Sequence, residues 1–85
     1  MSYRLAIKPS ASRELERLDN QLLRRVDAAI VKLGETPRPS GAKKLSGVPL
    51  YRIRVGAIRI LYDINDAQRL VTITRIGYRR DVYRE

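Results

Sequence analysis

The spacing of apolar positions changes twice along the chain, from about two residues to about 3.6 and back to about two. From Tyr3 to Lys8 apolar and polar residues alternate weakly up to Pro9, which predicts a first strand. Ala11, Leu15 and Leu18 then share one helical face, with Arg13, Glu14, Glu16 and Arg17 towards water and Ser10 and Ser12 as candidate N-caps. Asp19 and Asn20 interrupt that helix and supply a cap for the next. There Leu22, Val26, Ala29, Ile30 and Leu33 form a continuous apolar stripe. Gly34 is expected to terminate this second helix as a C-terminal glycine, and Pro37 and Pro39 block its continuation. From Glu35 to Pro49 the chain reads as a connecting loop, punctuated by prolines and glycines, with Lys43 and Lys44 on a solvated edge.

Alternation returns at Leu50. Over Leu50–Val55, Tyr51, Ile53 and Val55 fall on one face and Arg52 and Arg54 on the other. Gly56 permits a tight reversal into Ala57–Asp63, where Ile58, Ile60 and Tyr62 oppose Arg59, Leu61 and Asp63. Asn65 to Gln68 predicts a hairpin turn. The β-branched run Leu70–Ile76 predicts a well-buried strand, and Gly77 is expected to end the ladder before a basic tail. The order is β-α-α-β-β-β, an α+β fold in one domain over residues 1–85. A helical hairpin packs on a mainly antiparallel four-stranded sheet. If the helices cover the Ile53, Ile58, Ile60 and Ile73 face, the opposite face carries Arg52, Arg54 and Arg59.

Composition narrows the partner. Eighteen Lys and Arg against nine Asp and Glu give a formal charge of +9 over 85 residues, with a sequence pI near 10.7. Such an excess favours a polyanion. Every cation after Lys44 is arginine, the side chain suited to forked phosphate contacts and stacking. The chain has neither cysteine nor histidine, so disulfides and a Cys/His zinc site are excluded. No stretch approaches the roughly twenty apolar residues that span a bilayer, and the N-terminus has no apolar run of signal-peptide length. The expectation is a cytoplasmic protein with no membrane association.

The residues from Arg59 to Tyr62 and from Arg75 to Arg84 concentrate arginine and tyrosine. That pair can hold a phosphodiester, stack on a base and move a proton, which points to RNA and its cleavage. Several of these positions have plainer readings. Tyr51 and Tyr62 lie on the predicted core face, and Arg75 can serve only to pair with Asp63 or Asp81. Arg52 and Arg54 are compatible with an ordinary solvated strand face, and Tyr78 with either base stacking or surface cover.

Three segments carry a resemblance to a known family: Gly41 to Gly47, Tyr51 to Tyr62, and Ile76 to Tyr83. In their order and spacing the chain resembles toxins of the RelE/ParE superfamily, closest to the RelE branch. The resemblance implies a small microbial toxin that enters the ribosomal A site and cleaves mRNA without metal or other cofactor. It also implies a cognate antitoxin, acidic and partly disordered when free, that wraps the toxin and blocks it. By position it assigns Arg59, Arg79 and Tyr83 to catalysis and Arg52 and Arg54 to the scissile phosphate. Tyr78, Arg80, Lys43 and Lys44 are further candidates for substrate contact, Tyr78 standing where relatives often carry histidine or lysine.

Cleavage by 2′-OH attack requires a base, stabilisation of phosphorane charge and protonation of the leaving 5′ oxygen. Arginine is too weak an acid to serve as the base, which leaves Tyr83, its phenolate favoured by surrounding guanidinium groups. Arg79 would hydrogen-bond the leaving oxygen. Two alternatives remain open on the sequence: a ParE-like poison of DNA gyrase that acts by binding, and an inactive RNA-binding homologue.

Overall fold

The computed structural model describes residues 2–78. Arg79, Arg80 and Tyr83 lie outside the described residues.

Strand β1 (Arg4–Ile7) leads into helix α1 (Pro9–Glu16) and helix α2 (Asn20–Glu35). Strands β2 (Lys43–Lys44), β3 (Tyr51–Val55), β4 (Ile58–Asn65) and β5 (Leu70–Tyr78) follow. The sheet has five strands in the order β1-β5-β4-β3-β2, parallel between β1 and β5 and antiparallel elsewhere. One more strand is present than the alternation predicts. Lys43 and Lys44 pair with Arg52 and Tyr51, and two residues between prolines and glycines are too short to show a period.

Both helices start differently from one another. Pro9 opens α1 at its first turn, where a missing N–H costs nothing, and Lys8 is the N-cap with no side-chain bond. The expected caps Ser10 and Ser12 therefore lie inside the helix. Asp19 caps α2 as expected, its Oδ1 accepting the Leu22 N–H at 2.9 Å. Gly34 does not terminate α2, which runs on to Glu35. Its role is close approach: its carbonyl accepts the Tyr3 N–H at 2.6 Å, and a Cβ there would sit 3.2 Å from the Tyr3 carbonyl oxygen.

Val26, Ile30 and Leu33 of α2 and Ala11 of α1 pack on Ile53, Ile58, Ile60, Tyr62, Val71, Ile73 and Ile76. This is the core face that the alternation predicts for β3 and β4. On β5, however, Ile73 and Ile76 are three apart and cannot share a face of a regular strand. A bulge resolves this. Leu61 pairs with Arg75 and Tyr62 with Ile73, which leaves Thr74 as the extra residue, its Oγ1 donating to the Leu61 carbonyl at 3.2 Å.

The β3–β4 reversal is tight. Gly56 has φ of 59°, the positive value that the first central position of a type II′ turn requires. The β4–β5 turn is held by Asn65, whose Oδ1 accepts the Gln68 N–H at 3.0 Å. Gly77 does not break the ladder, because it pairs with Arg59 and β5 continues to Tyr78.

Candidate nucleic-acid interface

On the face away from the helices, register places cations side by side. Arg54 is directly opposite Arg59, and Arg52 is flanked by Lys43 on one side and Leu61 on the other. Like charges directly opposite on a sheet are destabilising, so an arrangement of this kind costs stability unless an anion is present. Arg54 is exposed, whereas Arg52 is 8% and Arg59 2% exposed. The arginine face is thus graded from an open guanidinium at β3 to a covered one on the central strand β4. Arg25 of α2 adds a cation that sequence reasoning missed. It reaches the β3–β4 turn, its Nη1 being 3.5 Å from where a Cβ on Gly56 would stand. Nothing in the local sequence signals this, because the pairing of α2 with the turn is a tertiary property.

Two other candidates fall elsewhere. Lys44 pairs with Tyr51 and so shares the helix-side face, not the arginine face. Tyr78 pairs with Ile58, also on the helix side, and is half exposed beside a shallow groove lined by Glu14, Arg17 and Leu18. Of the candidates within the described residues, the fold therefore groups Arg52, Arg54, Arg59 and Lys43, and separates Lys44 and Tyr78 from them.

Arg75 does not pair with Asp63, and Asp81 lies outside the described residues. The Arg75 Nε donates to Glu14 Oε2 at 3.1 Å, and Glu14 Oε1 accepts the Ile76 N–H at 2.8 Å. β1 ends its pairing at Ile73, so the outer edge of β5 beyond it needs another acceptor. Glu14 on α1 provides one.

The tyrosines of the core face belong to a clasp at the opposite end of the strands. Tyr62 is fully buried, and its hydroxyl donates to the Pro37 carbonyl at 2.7 Å. Burial pushes that phenol up to about 12, which makes it a packing residue and a poor base. Tyr51 stacks on Tyr62 with centroids 5.9 Å apart. Arg38 lies 5.3 Å above the Tyr51 ring centroid, donates Nε to the Tyr51 hydroxyl at 3.2 Å, and bridges Asp66 at 2.9 Å. Tyr3 also donates to Asp66, at 2.6 Å. The Arg38 guanidinium first, and then the Tyr3 hydroxyl, hold the Asp66 carboxyl below the usual carboxylate range; the same bond to Asp66 raises Tyr3. The clasp fixes the Pro37–Gly41 segment against the sheet. The proline pattern marks that segment as a loop but gives no sign of its anchor, since Arg38 and Asp66 are far apart in sequence.

Among the described residues no three His, Cys, Asp or Glu side chains group to hold a metal ion. Among them, too, no helix is long and apolar enough to cross a membrane.

Residues 5–83 match the family described as "ParE toxin of type II toxin-antitoxin system, parDE". Toxin RelG of Mycobacterium tuberculosis is 32% identical over 88 residues, which covers 99% of this chain and 99% of the relative. The archaeal RelE in its complex with RelB from Pyrococcus horikoshii OT3 superposes with a TM-score of 0.83 at 28% identity, over 93% of this chain and 97% of that one. The RelBE2 toxin–antitoxin complex of Mycobacterium tuberculosis gives 0.82 at 27% identity, over 93% and 100% of the two chains. At these scores and coverages, this chain shares the fold of those toxins.

Proposed function

The chain belongs to the RelE/ParE toxin superfamily of type II toxin–antitoxin systems, and on that footing we propose that it is a ribosome-dependent endoribonuclease that cleaves mRNA in the A site. The observation that carries this reading is the register that sets Arg54 opposite Arg59 with Arg52 and Lys43 beside them. Forked guanidinium groups hold the scissile phosphate and offset the charge of the phosphorane, the largest contribution such a site can make. Tyr83 takes the proton from the 2′-OH, and Arg79 hydrogen-bonds the departing 5′ oxygen. Arg80 and Lys43 contact the RNA backbone, whereas Lys44 and Tyr78 stand on the helix side of the sheet, away from this phosphate site.

A set without histidine is a weak acid–base pair, so the ribosome supplies the alignment. Orientation contributes up to roughly 7–11 kcal/mol in ideal cases, and little cleavage of free RNA is expected. The partner that restrains the toxin is an antitoxin protein, as in the RelB complexes of the similar structures. Its acidic character matches the +9 charge of this chain.

A second reading rests on the ParE description of the matching family: a gyrase poison that binds without cleaving. In vitro translation with mapping of mRNA 5′ ends separates the two. New ends that require ribosomes and vanish in Tyr83→Phe support the nuclease. No new ends from folded protein, together with inhibition of gyrase supercoiling, would establish the other.

A further inference from the structure

Strand β2 is too short to hold its own place. It has two residues, and one of its two pairs sets Lys43 directly opposite Arg52. Two backbone pairs give little cohesion, and like charges across a sheet push apart. Another contact must keep this edge on β3, and the chain just before β2 contains it.

That chain is tied to the sheet at two successive residues. The Pro37 carbonyl accepts the Tyr62 hydroxyl, and the Arg38 guanidinium grips Asp66 with two nitrogens, Nη2 at 2.9 Å and Nη1 at 3.3 Å. Arg38 also donates to the hydroxyl of Tyr51, the β3 residue that pairs with Lys44. From there to β2 the path is short and closed, because the Ala42 N–H donates to the Pro39 carbonyl at 2.9 Å and Lys43 follows. Beyond β2 the Leu45 N–H donates to the Leu50 carbonyl, also at 2.9 Å. β2 is thus strung between a clasp and a turn, and the clasp is the end that a side-chain substitution can release. We propose that Arg38 and Asp66 are positioning residues, which hold β2 in register so that Lys43 stands beside Arg52 and completes the cationic row used for RNA. The RNA in this statement rests on the reading above, and the positioning rests on the geometry alone.

Exposure decides what kind of role this is. The Arg38 and Asp66 side chains are 46% and 55% exposed, so their ion pair adds little to global stability. Its forked geometry, and the seat of Arg38 over the Tyr51 ring, fix direction instead. With Nε on Tyr51 and both terminal nitrogens on Asp66, the guanidinium is occupied within the protein and acts on RNA through β2. The sign of one substitution separates positioning from plain charge. Asp66→Asn makes the chain more basic, and bulk attraction would then tighten RNA binding. Release of Lys43 weakens it.

The test measures binding of a short single-stranded RNA to the whole protein by fluorescence anisotropy over a salt series, with amide hydrogen exchange at Ala42. Asp66→Asn is expected to weaken binding about three- to fivefold, the scale of one exposed charge contact, and to lower the salt slope by up to about one. Exchange at Ala42 should quicken while exchange in β4 stays unchanged. Lys43→Ala should weaken binding to the same degree, and the double variant no further than Lys43→Ala alone. Arg38→Ala should match Asp66→Asn. Should it fail to fold, Arg38→Lys breaks the same fork with less loss of bulk. Equal or tighter binding by Asp66→Asn, or losses at Asp66 and Lys43 that multiply, overturns the proposal. So does a loss in the Arg38 variant that Asp66→Asn does not share, which would make Arg38 itself an RNA contact. The two readings fail separately. Faster exchange at Ala42 in Asp66→Asn, with a wild type that binds no RNA, keeps the positioning and removes the RNA reading, whereas RNA binding with unchanged exchange at Ala42 does the reverse.

Discussion

The same two strands, β3 and β4, face the helices with Ile53, Ile58, Ile60 and Tyr62 and face away from them with Arg52, Arg54 and Arg59. The first set is almost entirely removed from water and closed by α1 and α2. The second places like charges in register, Arg54 directly opposite Arg59. One parity of each strand therefore builds the core, and the other presents the cations on which the proposed chemistry rests. The lesson is that the two properties are separable by single substitutions one residue apart.

The largest effect tests the first half of that claim. Ile60 is fully buried at the centre of the sheet, and Ile60→Ala should lower unfolding free energy by about 2–5 kcal/mol in urea denaturation. In a domain of this size such a loss removes a large part of total stability, so activity should disappear only through unfolding. Next comes the edge of β5. Glu14→Ala leaves the part-buried Ile76 N–H without its acceptor, at a cost of about 1–3 kcal/mol. Glu14→Gln keeps a carbonyl oxygen there and should recover most of it. If alanine and glutamine destabilise equally, the Arg75 ion pair and not the strand edge is what Glu14 supports.

How much of this contrast was readable in the chain differs between the two faces. The alternation in β3 and β4 separates Arg52 and Arg54 from Ile53, and Arg59 from Ile58 and Ile60, with no tertiary information. The helical stripe from Leu22 to Leu33 identifies what covers the apolar side. What the sequence hides is anything decided by a register shift or a distant partner. The bulge at Thr74 is invisible because a single inserted residue leaves no compositional mark, although the three-residue gap between Ile73 and Ile76 is a consequence of it. Gly34 looks like a helix stop, and only the approach of Tyr3 reveals its use. Burial of Arg59 was likewise not legible, since a strand pattern gives the face of a residue but not what lies over it. The edge strand at Lys43 and the reach of Arg25 to Gly56 depend on contacts between segments separated by proline and glycine turns.

Tyr62 sharpens the comparison at intermediate magnitude. Tyr62→Phe removes the bond to the Pro37 carbonyl and should cost about 1 kcal/mol at neutral pH. The pH dependence has a definite sign. With the folded-state pKa raised to about 12 against an ordinary phenol near 10, the contribution of Tyr62 is whole below about 10 and is lost as pH climbs through 12. The wild type should weaken over that alkaline window, and the phenylalanine variant should weaken less. Asp66 works in the opposite direction. Its folded-state pKa is lowered, so its contribution is present above the ordinary carboxylate range near 3.9 and fades as pH falls through the depressed value. Asp66→Asn should flatten the acid limb of stability measured by thermal melting. Its effect should be smaller than that of Tyr62→Phe, since Asp66 and Arg38 are both exposed.

Arg54→Ala should move stability least and function most. Arg54 is exposed on β3, and its cross-strand neighbour is Arg59. Removing it relieves a repulsion between like charges that is worth up to about 1 kcal/mol on a sheet, so the melting temperature should stay level or rise slightly. If the face serves only to keep the protein soluble, ribosome-dependent cleavage should be unaffected, because the remaining cations still leave a strongly basic chain. If guanidinium groups in this register hold a phosphate, cleavage should fall at least about tenfold, the equivalent of about 1.4 kcal/mol of lost transition-state stabilisation. Arg54→Lys separates charge from shape. Lysine restores the charge but not the fork, so recovery to wild-type rate would show that a point charge suffices, whereas a persistent loss would require two-pronged contact with the phosphate oxygens. A fall in cleavage with unchanged or improved melting is the outcome that divides the two parities, and a fall in both would mean that the arginine face also supports the fold.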